Sequence, residues 1–207
     1  MQGKSINFRG TSGTGKTTIM RHFLELGNFT PFVAKKHFNP KPTKSGKERK
    51  PRDIICYRGF LFGRDAFILG NYGPTNGGCD TIPSVSLSAE LLRTFFTAGN
   101  LVLFEGLMIS HMLGTVGAMQ EELGKEHNVL AFLDTPLHDC LHRVQQRRLA
   151  RGDTRPFNET NTRGDHEAVW NCKNRATDLG FRVVEIDHLD AVSQAHALVE
   201  EVANESQ

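Results

Sequence analysis

One short stretch, RGTSGTGKTT at positions 9–18, constrains this chain more than any other. Gly10 to Thr17 fit the pattern G-x-x-x-x-G-K-[ST], with a strand predicted before it (4–9) and a helix after it (16–26). In that setting the glycines let the backbone turn tightly and point successive N–H groups inward. The helix adds the positive end of its dipole, so an anion is the expected occupant. The phosphate cradle is therefore assigned to Gly10, Thr11, Ser12, Gly13, Thr14, Gly15, Lys16, Thr17 and Thr18. Lys16 is expected to reach the β- and γ-phosphates of ATP, and the Thr17 hydroxyl to ligate Mg²⁺.

Further along, strand and helix patterns alternate. Extended segments are predicted near 29–35 and as a hairpin turning around Gly63, Arg64 and Asp65. LVLFE (101–105) reads as a buried strand, and VLAFLD (129–134) and RVVEID (182–187) read as strands. Helices are predicted from a Ser88 cap to Gly99, over 115–127, from Pro136 through Arg151, over 165–178 and over 190–204. Such alternation predicts a mainly parallel sheet covered on both faces, in one domain spanning 1–207. The four cysteines (Cys56, Cys79, Cys140, Cys172) lack metal-ligand or redox-pair spacing. No apolar run approaches the ~20 residues of a membrane span. The expectation is a soluble cytoplasmic protein with no membrane partner, and no oligomeric state is indicated.

The overall charge of +2 hides a local excess: residues 35–52 carry eight Lys or Arg against one Glu. With Pro40, Pro42, Gly46 and Pro51 in it, this segment reads as a basic loop, able to follow a nucleic-acid backbone or simply to be solvated. The region at 53–87 is expected to bind the acceptor. There Asp80 is a candidate base, or else a carboxylate bonding backbone N–H groups in its own turn. Arg58, Arg64 and Tyr72 flank it as candidate substrate contacts. Glu105, at a strand end, is placed to hold Mg²⁺ or take a proton. Arg143, Arg147 and Arg151 recur every four residues, with Arg148 beside them, and Arg155 and Arg163 could extend a cationic lid over about 143–163.

Together INFRGTSGTGKTT, LVLFEG and LDTPLHDCLHRVQQRR resemble the P-loop kinases of nucleosides, nucleotides and gluconate. FILGNYGPTNGGCDTI and RPFNETNTR further resemble bacteriophage P-loop kinases that phosphorylate 5-hydroxymethyluracil within DNA. The resemblance implies a three-layer α/β/α fold with an inserted hairpin and an arginine lid, ATP with Mg²⁺ as donor, and a 5-hydroxymethyl acceptor in phage DNA, phosphorylated as a step in thymidine hypermodification in the host cytoplasm. By motif, Lys16, Glu105, Arg147 and Arg151 take the catalytic positions, and Thr17 and Glu105 the metal positions. The alternatives left open are a kinase of a nucleoside monophosphate or a gluconate-like acceptor, and a nucleotide-dependent binding module. No N-K-x-D guanine-reading motif is present.

Overall fold

The computed structural model describes residues 2–40, 42, 48, 50–73, 77–153 and 155–205. Its seven strands are β1 (Lys4–Arg9), β2 (Thr30–Phe38), β3 (Arg52–Leu61), β4 (Arg64–Ile68), β5 (Leu101–Glu105), β6 (Asn128–Asp134) and β7 (Arg182–Asp187). The helices are α1 (Lys16–Leu26), α2 (Val85–Thr97), α3 (Leu107–Ser110), α4 (Thr115–Glu122), α5 (Leu137–Ala150), α6 (Glu159–Asp178) and α7 (Ala191–Asn204), with short 3₁₀ turns at Gly78–Thr81 and Lys125–His127.

The strands form one sheet in the order β2-β3-β4-β5-β1-β6-β7. β4, β5, β1, β6 and β7 pair in parallel, and β3 is antiparallel to both β2 and β4. Six strands therefore point one way, and their carboxyl ends share one edge. β1 and β5 are buried along their whole length, as strands covered on both faces must be. Alternation divides their side chains. Ile6, Phe8, Leu101 and Leu103 pack toward α1 and α7 with Phe23 and Val199. Val102 and Phe104 pack the other way, with Leu92 and Phe96 of α2 and Met119 of α4. On β6, Leu130 and Phe132 meet Val169 and Ala176 of α6. This is the three-layer α/β/α arrangement.

One buried charge lies inside this frame. Arg9 is fully buried, and its Nη1 donates to the Met112 carbonyl at 3.1 Å and to Cys172 Sγ at 3.2 Å. With the Asn7 amide in the orientation that satisfies both residues, its oxygen accepts from Arg9 Nε and Nη2 at 3.0 Å each. Burial pushes the Arg9 pKa down to about 10, so the group stays cationic at neutral pH. It ties the last residue before the glycine turn to the segment after α3 and to α6.

Several boundaries differ from expectation. α2 is capped by Ser84, whose Oγ accepts from Leu87 N at 3.2 Å, and Ser88 is buried inside the helix. The hairpin turns one step earlier, at Phe62 and Gly63, and Arg64 opens β4. Asn158 caps α6 by accepting from Thr160 N at 2.9 Å, so the helix starts six residues before 165. The helix expected over 115–127 breaks at Gly124, whose φ of 97° suits glycine. The basic segment is partly strand, because Lys35 to Phe38 continue β2 through a register shift. Lys41 and residues 43–47 and 49 of that segment lie outside the described residues.

After β4 the chain folds back sharply. Gly70 has φ 81°, and a Cβ there would lie 1.9 Å from the Gly78 carbonyl oxygen. This contact between two backbones brings the Gly78–Thr81 turn onto the end of β5. Gly70→Ala combines a disallowed φ with a backbone clash and should cost at least ~2 kcal/mol of stability, read as a lowered denaturation midpoint. An unchanged midpoint would mean the turn is free to move.

Candidate active site

The cradle forms where β1 ends at the carboxyl edge. Gly13 has φ 90°, and a Cβ on it would come within 2.6 Å of the Cys140 carbonyl of α5, so only glycine lets the turn pass beneath that helix. Gly15, at φ 104°, is the N-cap of α1. The first N–H groups of a helix have no intrahelical acceptor, and here they face the turn. Thr135 Oγ1, at the end of β6, donates to the Thr14 carbonyl at 3.2 Å and fixes the back of the turn.

Lys16 begins α1 and is 7% exposed. Its Nζ donates to the Gly10 and Thr11 carbonyls at 2.6 and 3.0 Å. Burial lowers its pKa, and the nearby Glu105 and Asp80 charges oppose that shift. Glu105, 3% exposed, comes up from β5, and its Oε1 accepts from Thr17 Oγ1 at 3.2 Å. Burial raises the Glu105 pKa; Lys16 pulls it down and Asp80 pushes it up. Lysine and threonine from the start of α1 and the carboxylate from the end of β5 thus meet at one point.

Asp80 reaches the same point from the 3₁₀ turn. Both its oxygens accept from Leu107 N, at 3.0 and 2.9 Å, so the carboxylate caps α3 while remaining exposed. The bonded N–H belongs to α3 and not to Asp80's own turn. Each oxygen keeps lone-pair capacity for a further partner.

These residues line one cavity of about 820 Å³, together with Arg143, Arg147 and Arg151 of the expected lid. Arg143 Nη1 donates to the Gly13 carbonyl at 3.2 Å. Burial lowers the Arg147 pKa, and Arg151 lowers it further, as expected of cations crowded together. Arg148 pairs with Asp153 at 3.2 Å, Arg155 with Asp153 at 2.8 Å and Arg163 with Glu159 at 2.6 Å; none of the three is in the cavity wall.

The flanking candidates do not join the site. Arg58 pairs with Asp65 at 3.2 Å on the sheet face. Arg64 is buried at the opposite, amino edge, where its Nη2 donates to the Gln2 and Gly99 carbonyls, away from the cavity. Tyr72 is not in the wall either, although its ring packs near Thr17 under Gly77. The cavity also takes in Arg21 and the segment His188, Leu189, Asp190, Ala191 and Val192. No motif marks that segment; its signal is position, just past the carboxyl end of a parallel strand. Among the described residues no cluster of three or more His, Cys, Asp or Glu forms a metal site, and no helix is long and apolar enough to cross a membrane.

No family model matches the sequence. It is, however, 33% identical over 196 residues to the 5-hmdU DNA kinase of Pseudomonas phage PaMx11, covering 94% of this chain and 96% of that one. The chain belongs to the 5-hmdU DNA kinase family. It is thus a phosphotransferase of the phage P-loop kinases. The 5-hmdU DNA kinase of Pseudomonas phage M6 is 27% identical over 208 residues, covering 95% and 98% of the two chains. Among solved structures, a gluconokinase from Sinorhizobium meliloti 1021 matches with a TM-score of 0.51 at 15% identity, covering 97% of this chain and 93% of that one. That likeness shows the fold.

For a kinase built this way, Lys16→Ala should remove nucleotide binding and phosphoryl transfer while the fold is retained with a lowered melting temperature, because buried Glu105 loses the charge that opposes its burial. Calorimetric titration with nucleotide and a thermal melt check both halves. Retained transfer would take the glycine turn out of the chemistry.

Proposed function

We propose that this kinase transfers the γ-phosphoryl group of ATP to the 5-hydroxymethyl group of 5-hydroxymethyluracil in phage DNA, a step in thymidine hypermodification carried out in the host-cell cytoplasm. The observation that carries this reading is the convergence of Lys16, Glu105 and Asp80 on one cavity, in a chain that matches two 5-hmdU DNA kinases along nearly its whole length.

The residues fit Mg²⁺-ATP. A Cβ at Gly10 would lie 2.6 Å from Thr14 Oγ1, so the turn has no spare room for a side chain there. The Thr11 hydroxyl is buried without a partner among the described residues, and the Lys16 ammonium is held by carbonyls of the turn itself. Thr17 and Glu105 are the groups that would hold Mg²⁺, an ion usually bound through one or two carboxylates and phosphate oxygens. Bound there, Mg²⁺-ATP would supply the phosphoryl group.

The chain's own contribution is charge and proton handling. Lys16, Arg147 and Arg151 balance the negative charge of the transferred group and exclude water from it. His188 to Val192, past the end of β7, form the side of the cavity for the donor nucleoside, and Arg21 bonds the Gly73 carbonyl of the acceptor region at 3.0 Å. Asp80, held by Leu107 N–H, orients the acceptor hydroxyl and takes its proton as the new bond to phosphorus forms.

Two experiments test this. Labelled γ-phosphate from ATP should enter 5-hydroxymethyluracil DNA and neither thymine DNA nor free nucleosides, nucleotides or gluconate; label confined to a small molecule would overturn the DNA acceptor. Asp80→Asn keeps an oxygen for Leu107 N–H, so the fold should hold while turnover drops by at least ~10²-fold and ATP affinity stays near normal. A near-normal rate would leave Asp80 only as the cap of α3.

A further inference from the structure

The β2–β3 ladder is not level with the rest of the sheet. Tyr57 pairs with Ile68, and Ile68 with Leu103, so Tyr57 lies two residues below the height of Glu105. β3 runs opposite to its neighbours, and each residue before Tyr57 climbs toward the carboxyl edge. Ile55 reaches the height of Glu105, and Arg52 stands three residues beyond it. At ~3.3 Å per residue this overhang is about 10 Å. β2 accompanies it, with Phe38 opposite Arg52. β3 is also two strands from β5, about 10 Å to the side, so a two-stranded ribbon rises beside the acceptor half of the cavity.

The ribbon is anchored. Phe32, Ala34, Phe38, Ile54 and Cys56 pack against the cluster beneath α2. Lys35 Nζ donates to Glu90 of α2 at 3.0 Å, and the His37 N–H donates to Asp53 Oδ1 at 2.9 Å. Above these contacts Lys36, Lys50 and Arg52 are exposed and, among the described residues, form no ion pair. A small acceptor bound at the Glu105 edge has no use for a cation such as Arg52, some 14 Å from Glu105 (about 10 Å up and 10 Å across). A polynucleotide has phosphates at that range, since a strand carries one charge per ~3.4 Å of axis and 14 Å corresponds to about four nucleotides.

We infer that the β2–β3 ribbon is a rail for the acceptor strand, with Lys36, Lys50 and Arg52 holding backbone phosphates about four nucleotides from the base that enters the cavity. This rests on the DNA-acceptor reading above and adds to it a surface and a polarity. The strand approaches the catalytic edge from the β2 side, opposite the arginines of α5.

The test is acceptor length. A trinucleotide with a central 5-hydroxymethyluracil cannot reach the rail, whereas a strand of about fifteen nucleotides can. Wild type should favour the longer strand by at least ~10-fold in kcat/KM. The triple variant Lys36→Gln, Lys50→Gln, Arg52→Gln should treat the two alike, keep its rate on the trinucleotide, and melt as wild type does. Losing three phosphate contacts should also reduce the log–log salt slope of long-strand affinity by about 2. A variant that keeps both the length preference and the salt slope overturns the rail. Equal wild-type rates on the two acceptors overturn the rail and leave the acceptor base standing; no label in either overturns the acceptor reading and the rail with it.

Discussion

The structure depends on burying charge at the carboxyl edge of the sheet. Lys16 and Glu105 are both almost fully buried, each against its preference for water, and their opposite pKa shifts share the same first cause. Removing two ions from water costs several kcal/mol each, and attraction alone rarely recovers it. The loop carbonyls on Lys16 and the Thr17 hydroxyl on Glu105 supply the missing hydrogen bonds. Arg9, behind the turn, carries a third buried charge, held by the Met112 carbonyl, Cys172 and the Asn7 amide. A sequence that accepts these costs keeps a concentrated field where a polyphosphate binds, and the surrounding packing is what holds it in place.

From that point the edge divides into two sides. On one, the arginines of α5 and the segment after β7 close around the glycine turn. On the other, the close approach of Gly70 and Gly78 folds the 3₁₀ turn onto β5, so that Asp80 meets the N–H of Leu107. Asp80 is thus fixed by the first residue of the short helix that directly follows Glu105 and Gly106. The two carboxylates owe their proximity to backbone contacts, which makes the Gly-Gly-Cys-Asp stretch as structural as it is chemical.

The parts legible in the sequence were those with a strong local signal. The strands around Leu103 and Ala131 have unbroken apolar runs, and the glycine turn that follows β1 has a spacing that few other structures require. Glu105 could be placed because a carboxylate ending a buried strand must come out at the ligand edge. What stayed hidden depends on contacts distant in sequence. Ser84 and Ser88 are both good caps, and packing of α2 decided between them. Arg64 looked like an anion ligand because sequence cannot tell that its strand starts at the far edge, against the Gly99 carbonyl. His188 to Val192 carry no motif at all, and the overhang of β3 is visible only in the pairing register.

The central claim is that the phosphoryl group goes to a base within DNA. Its most direct measurement is the position of the label after digestion of phosphorylated 5-hydroxymethyluracil DNA to nucleosides and separation of the products. The expected result is label on the 5-hydroxymethyl oxygen of the modified nucleoside. Label at the strand's terminal 5′-hydroxyl, or only in inorganic phosphate, would contradict it.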